Sequence, residues 1–502
     1  MGCAGLAGVA WASPTLYPDA VTDADELAPF FEAAATGRVD IVGIGDSNQL
    51  QFGHGWDRGW ILASHERFGT WATSLMSLGE NTGNGAGMGE GWQTFSTAST
   101  GQFVYSGAPV PQDALLAQHP DFGPHNYLHV PEGAGATLTN HGVALSPGAP
   151  LDVNQRLRFS TVYAVADSVA PATIRPSVRR ADAPYSILVD APAPVPVTGP
   201  LDAVMTASVE LPAQIRDHPV QSMLTRFNTT ITGPLTAYYM RIDAPDVARG
   251  ASFGTFYAMG SRSARDMSEA LRAMPIDTLT LYFDTLRQQQ GDEPRILVRI
   301  NTGLNDRSET LPPVDAPTLP PSSPDAFEAN LNALLDRLNE VWTVNGWPED
   351  ELYILITVSH PTGPQDGGPV GLNNDDLLLV QYRERAHAIA QSRPRCAAAD
   401  LNRITSESEM VANLWYRSNL LDRFHLRSDG YYALADRELC ALQSGRSWYD
   451  ADGDGSIAPE DLYALESWVG TPPTDAPPDL SAQGLARAVR FGEAADALSH
   501  RE

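Results

Sequence analysis

Cysteine is scarce in this chain: there are 3 in 502 residues, and no Cys-x-x-Cys spacing. That excludes a scaffold built on many disulfides and a cysteine-ligated metal site. With Cys3 set aside at the N-terminus, Cys396 and Cys440 remain. They can form one disulfide or stay as two buried thiols. Positive charge is also short: 33 Lys and Arg against 61 Asp and Glu, so 33 − 61 = −28. That surplus repels nucleic-acid phosphate and anionic membrane, and it favours solubility and cation binding. Outside the N-terminus no run reaches the ~18 apolar residues that span a bilayer, so no membrane insertion is expected. What is present is a globular composition, 43% hydrophobic and 8% aromatic. A chain of this length is expected to divide into two or three domains.

The first residues, MGCAGLAGVAWAS, are small or apolar. Ala10-Trp11-Ala12 has the form of a signal-peptidase site, which places 1–12 as a partial signal peptide and the mature start near Ser13. No positive charge precedes the apolar run, so an unstructured start is the other reading.

Residues 39–44 (VDIVGI) predict a buried strand and 56–77 a helix. GENTGNGAGMGEGW (79–92) holds Gly-x-Gly patterns but follows a helix, so it is read as a loop and not as a dinucleotide site. Residues 93–250 are rich in Pro, Gly, Thr and Val. LRFSTVYAV (157–165) alternates like a half-buried strand, LTAYYMRI (235–242) is a second strand, and DAPAPVPVTGP (190–200) suits neither a helix nor a central strand. The block predicts a β-sandwich. After it, 261–274 read as a helix, TLTLYFD (278–284) and RILVRI (295–300) as strands. An apolar stripe from Phe327 to Trp342 marks a helix, LYILITV (352–358) a strand, and 376–391 a helix. Strands alternating with helices predict a parallel sheet covered on both faces, interrupted by the β-rich block.

Open α/β sheets place their chemistry beyond the carboxyl ends of the strands. The first strand delivers Gly45-Asp46-Ser47-Asn48, and RILVRINT delivers Gly303-Leu304-Asn305-Asp306. Asp422 and His425 follow the last helical region, in DRFH. A serine is a weak nucleophile until a base, a group to orient that base and oxyanion donors surround it. These residue types can fill each of those roles. The spacing of Asp422 and His425 suggests one tight turn. Asp429 is read as a turn or N-cap residue and His360 as a loop histidine after its strand. His54, Trp56 and His360 are candidate substrate contacts.

GDSN, GLND and DRFH resemble, in order, blocks of the SGNH (GDSL-type) hydrolases, and Gly260 in FYAMGSRSARDM stands where the family's remaining glycine block falls. The resemblance covers about 35–90 and 250–445. It implies a flavodoxin-like three-layer α/β/α fold with a parallel sheet. It also implies Ser47 as nucleophile, His425 as base and then acid, and Asp422 as the group that orients His425. The oxyanion hole would combine the N–H of Ser47, the N–H of Gly260 and the side-chain amide of Asn305. Some carbohydrate-acting esterases of this family resemble the chain in carrying a β-sandwich at the same point, which implies an acylated glycan as substrate. A lipid or small-ester hydrolase, a sugar O-acyltransferase and a non-catalytic carbohydrate-binding protein are the alternatives.

DADGDGSIAPED (450–461) matches a calcium loop, with Asp450, Asp452 and Asp454 at positions 1, 3 and 5, Gly455 at 6, the Ser456 carbonyl at 7 and Asp461 at 12. It resembles one half of a dockerin, which implies bound Ca²⁺ and a cohesin-like partner. The expected organisation begins with a signal at 1–12 and a first hydrolase segment at 13–92. An inserted sandwich at 93–250 separates it from a second hydrolase segment at 251–445. The calcium loop at 446–470 and a linker and tail at 471–502 complete the chain. The expected location is secreted or periplasmic.

Overall fold

The structure is a computed structural model. It describes residues 20–46, 48–49, 56–73, 76–77, 92–94, 102–104, 127–130, 132, 135–140, 156–165, 171–180, 187–190, 193–199, 205–211, 225–258, 263–307, 322–362, 377–418 and 422–443. The expected signal segment, Ser47, His54, Gly260 and the calcium loop with Asp450, Asp452, Asp454, Ser456 and Asp461 lie outside the described residues.

Helix α1 (Ala28–Thr36) leads into strand β1 (Arg38–Gly45). Helix α2 (Trp56–Phe68) precedes β2 (Thr70–Thr73). The helix expected over 56–77 therefore ends early. It stops at Phe68 because Gly69 takes a left-handed φ of 79°, and the chain turns there into a strand. From the β-rich block come β3 (Leu157–Val165) and β4 (Leu235–Asp243), followed by β5 (Gly250–Ala258). Then come α3 (Ala264–Ala273), α4 (Ile276–Gln290), β6 (Ile296–Thr302), the short α5 (Leu304–Arg307), α6 (Pro324–Asn345) and β7 (Leu352–Val358). The last elements are α7 (Leu377–Gln391), β8 (Cys396–Asp400), β9 (Tyr416–Ser418), β10 (Asp422–Leu426) and α8 (Ser428–Leu442).

The expected strand at 278–284 is instead the middle of α4. Leu279, Tyr282, Phe283 and Leu286 are all buried, and their spacing is one face of a helix. A seven-residue window rich in Thr, Tyr and Phe hides that period, which needs the flanking turns to show.

Strands β8, β7, β6, β1, β5 and β2 lie side by side in that order, with parallel pairing throughout. Residues 21–22 add an antiparallel edge to β8. Alternation along the strands sorts the apolar side chains to the two faces. Val42, Ile44, Ile296, Val298 and Ile300 pack with α3, α4, α6 and α7. Val39, Ile41, Leu297 and Phe253 pack with α1, α2 and α8. This is a three-layer α/β/α body, and its strands are buried on both faces as a parallel sheet requires.

The β-rich block forms two sheets. One is antiparallel and six-stranded, in the order 187–190, 172–180, 225–232, 135–140, 92–94, with 195–197 beside 172–180. The other continues the main sheet: β4 pairs antiparallel with β2 at Asp243 and Ala72, and β3 pairs with β4. β3 is buried along almost its whole length rather than on alternate residues. Its Val162 and Ala164 join the core that contains α4. On the other side, the Tyr163 hydroxyl donates to the carbonyl of Thr198, beside the 195–197 strand, at 3.0 Å. Tyr239 of β4 stacks on Phe256 of β5 at 5.7 Å and meets Tyr282 of α4 at 4.8 Å. Below them Arg241 of β4 pairs with the buried Asp40 of β1 at 2.9 Å. Cys396 on β8 and Cys440 on α8 are separate buried thiols.

Candidate active site

The carboxyl ends of β1, β6 and β7 are aligned by register, with Ile44 beside Ile300 and Thr302 beside Val358. Loops leaving these ends carry the motif residues. β1 ends in Gly45, and Asp46 follows, fully buried. The Gln49 N–H donates to the Asp46 carbonyl at 3.0 Å and closes a turn across residues 46–49. The Trp56 N–H then donates to the Asn48 carbonyl at 3.0 Å, tying the start of α2 to that turn.

The Asp46 carboxylate accepts the Asn48 N–H at 2.8 Å and the Asn305 side-chain amide at 2.9 Å. The GDSN and GLND loops are therefore joined by a direct hydrogen bond, although 259 positions separate its partners. Burial raises the Asp46 carboxyl to about 6, against the lowering effects of the Asn48 hydrogen bonds and of the His425 charge. That charge effect also relates the third motif to the first, because His425 acts electrostatically on the residue next to Ser47.

Asp306 organises the neighbouring turn. Its carboxylate accepts from the Ala264 N–H at 3.0 Å, the Thr302 hydroxyl at 3.1 Å and the Gly303 N–H at 3.2 Å. Ala264 opens α3, so Asp306 fastens the segment that follows Gly260 to the end of β6.

His425 is half-buried in β10, and Asp422 is the first residue of the same strand. The expected tight turn around Asp422 and His425 is thus an extended segment, paired antiparallel with β9. Pairing with β9 supplies backbone partners that sequence spacing does not reveal. Asp429 sits within the first turn of α8, where the N-cap is Arg427. α8 returns to the site through Tyr431, whose hydroxyl donates to the Asn48 side-chain carbonyl. The Tyr431 ring meets Trp56 edge-on at 5.1 Å.

Among the substrate candidates, Trp56 and His360 are both fully buried, with ring centres 6.2 Å apart. His360 follows β7, and its neighbour Ser359 is pinned by an N–H bond to the Thr302 carbonyl at 3.0 Å. Both line the interior beside the motif turn rather than an exposed surface.

Beneath lies a buried ion pair. Arg299 of β6 donates to Glu438 of α8 at 2.9 and 3.2 Å, and the Trp60 indole N–H donates to the same carboxylate at 3.1 Å. Thr357 donates to its other oxygen. The Arg299 guanidinium lies over Trp56 at 4.4 Å. Burial lowers the Arg299 pKa, and the charges of Glu438 and Asp46 oppose that shift. Sequence reasoning does not find Asp46, Asn48, Asp306, Tyr431, Arg299 and Glu438 as site residues. Asp46, Asn48 and Asp306 are within its reach because they belong to the quoted motifs. The others give no comparable signal, since most lie far from any motif in sequence or inside an ordinary helix or strand.

Among the described residues no group of three or more His, Cys, Asp or Glu side chains is arranged to hold a metal ion. No described helix is long and apolar enough to cross a membrane.

No protein-family model and no curated protein match the sequence. Solved structures do. A peptidoglycan O-acetylesterase structure is 14% identical with TM-score 0.50, over 84% of this chain and 95% of that one. An arabinose-bound GH51 α-L-arabinofuranosidase structure is 14% identical with TM-score 0.33, over 72% of this chain and 58% of that one. Est24, a carbohydrate acetylesterase from Sinorhizobium meliloti, is 14% identical with TM-score 0.26, over 39% of this chain and 78% of that one. At such identity the first likeness is one of fold, and the other two, with their lower scores, add nothing to it. The chain has a mixed α/β fold with a large, mostly parallel central sheet, consistent with that of SGNH-type hydrolases.

Proposed function

We propose that the chain is an SGNH-type serine esterase that removes O-acyl groups, by preference O-acetyl, from a carbohydrate. The observation that carries this reading is the hydrogen bond from Asn305 to Asp46, which unites two motif loops at the carboxyl edge of the sheet. The fold it shares with a peptidoglycan O-acetylesterase supports the choice of substrate class.

In this reading the Ser47 oxygen attacks the ester carbonyl while His425 takes its proton. Asp422 orients the imidazole. The tetrahedral oxyanion is met by the N–H groups of Ser47 and Gly260 and by the Asn305 amide. Asp46 holds the Asn305 side chain in place by one amide hydrogen. His425 then protonates the departing sugar oxygen as its bond to the acyl carbon breaks, giving the free hydroxyl. Water, deprotonated by His425, then attacks the acyl-enzyme; the bond from the acyl carbon to the Ser47 oxygen breaks, His425 returns the proton to that oxygen, and the carboxylic acid leaves. Ca²⁺ bound by Asp450, Asp452, Asp454, the Ser456 carbonyl and Asp461 would be structural. Export and docking to a cohesin-like partner belong to the same reading.

The test is p-nitrophenyl acetate turnover, with acetate release from O-acetylated glycans measured alongside. Wild type should turn over, and Ser47→Ala and His425→Ala should fall to background. A Ser47→Ala protein as active as wild type would reject the esterase reading.

A further inference from the structure

Gly43 and Gly45 sit two positions apart on β1, so they share one face of the strand. The space their missing side chains leave is filled by Gln49. A methyl group on Gly43 would lie 2.1 Å from the Gln49 amide nitrogen and 2.8 Å from its Cδ. One on Gly45 would lie 2.9 Å from the Gln49 Cβ and 3.4 Å from the Cβ of Asn301. The Gln49 chain therefore folds back along β1, against the direction of the backbone it came from. Its amide crosses to the next strand and donates to the Thr255 hydroxyl of β5 at 3.1 Å. Gln49 is fully buried, and its carbonyl oxygen has no hydrogen-bond partner.

Packing alone does not account for this choice. A buried, unpaired amide oxygen costs about 1–3 kcal/mol, and a leucine would fill the groove without that penalty. What the amide adds is a fixed direction. The same residue closes the 46–49 turn through its backbone N–H, so side chain and main chain together fasten both ends of that turn to the sheet.

We propose that Gln49 is a positioning residue: laid in the groove of Gly43 and Gly45 and tethered to Thr255, it holds the turn that carries Ser47 at the height where the serine reacts. The proposal rests on the reading of Ser47 as nucleophile. Gly43 and Gly45 are then glycines for Gln49's sake, and the two features form one device.

The test uses the full chain, p-nitrophenyl acetate kinetics and thermal melts. Gln49→Leu should melt at or above the wild-type temperature, while kcat falls about 10- to 100-fold and KM stays unchanged, as a misplaced reacting group requires. Thr255→Val removes the tether but leaves Gln49 in place. It should reproduce the loss, and it serves in place of Gln49→Leu if that variant does not fold. Gly43→Ala should also lower kcat by displacing Gln49, and adding Gln49→Ala to it should cost little more, because both changes disable one device. Wild-type kcat in folded Gln49→Leu and Thr255→Val, or strict additivity of Gly43→Ala with Gln49→Ala, would overturn the proposal. Ser47→Ala separates the two readings. If it is inactive while Gln49→Leu is normal, only the positioning role falls. If it is fully active, both fall.

Discussion

Asp46 is held by two amide donors from different loops, and burial makes its ionisation a pH-dependent contribution to stability. Its ordinary carboxyl value is 3.8 and burial lifts it to about 6. The folded state therefore binds this proton more tightly than the unfolded chain does. The contribution favours the fold fully below 3.8 and is lost as pH rises through about 6. Asp46→Asn removes the ionisation. Melts across this window should show the wild type losing ground to the variant as pH rises, and parallel curves would contradict the shift. The variant should also be catalytically impaired, because an asparagine has one oxygen to share between Asn48 and Asn305. Asn305→Ala tests the neighbouring role: loss of one oxyanion donor should lower kcat about 10²- to 10³-fold with little change in melting temperature.

At the scale of elements, α8 decides how β10 meets the sheet. It follows the His425 strand directly and is anchored by Glu438 to Arg299, Trp60 and Thr357, at a depth where both ionic partners are fully buried. The sequence contains no lysine, so every such buried side-chain cation here is arginine, whose planar fork suits a shared carboxylate. Glu438→Leu alone leaves the Arg299 charge uncompensated and should cost about 3–5 kcal/mol in urea unfolding. Pairing it with Arg299→Met should recover most of that loss. Equal destabilisation of the single and the double variant would show that packing, not charge, governs the contact. The same scale explains the segment at 278–284. Thr, Leu, Tyr and Phe satisfy a strand window of seven residues, yet Leu279, Tyr282, Phe283 and Leu286 face one core, and that core selects the helix.

For the whole molecule, the β-rich block and the α/β body share a core. Val162, Ala164, Tyr238 and Tyr239 pack with α3, α4 and α6, and Arg241 neutralises the buried Asp40. A chain lacking 93–250 would expose that core and leave Asp40 without its ionic partner Arg241. It should show no cooperative thermal transition, and a sharp transition with retained esterase activity would refute this coupling. The calcium loop offers a separate test. A chelator should lower or split the melting profile while small-ester turnover persists, and an unchanged profile would remove Ca²⁺ from the account.

Sequence alone determined much that is local. β1, β6 and β7, the apolar stripe of α6 and the placement of GDSN and GLND after strands follow from periodicities and turn residues that neighbours along the chain carry. It did not reveal that Asn305 bonds Asp46, that Asp306 accepts the first N–H of α3, that Gln49 fills the glycine groove, or that β3 and β4 extend the main sheet. Most of those contacts join residues far apart in the chain, and either partner alone is an ordinary polar, glycine or strand residue. Their meaning comes from burial, which makes each buried polar group depend on the partner that the fold brings to it. That dependence is settled only when the tertiary structure excludes water.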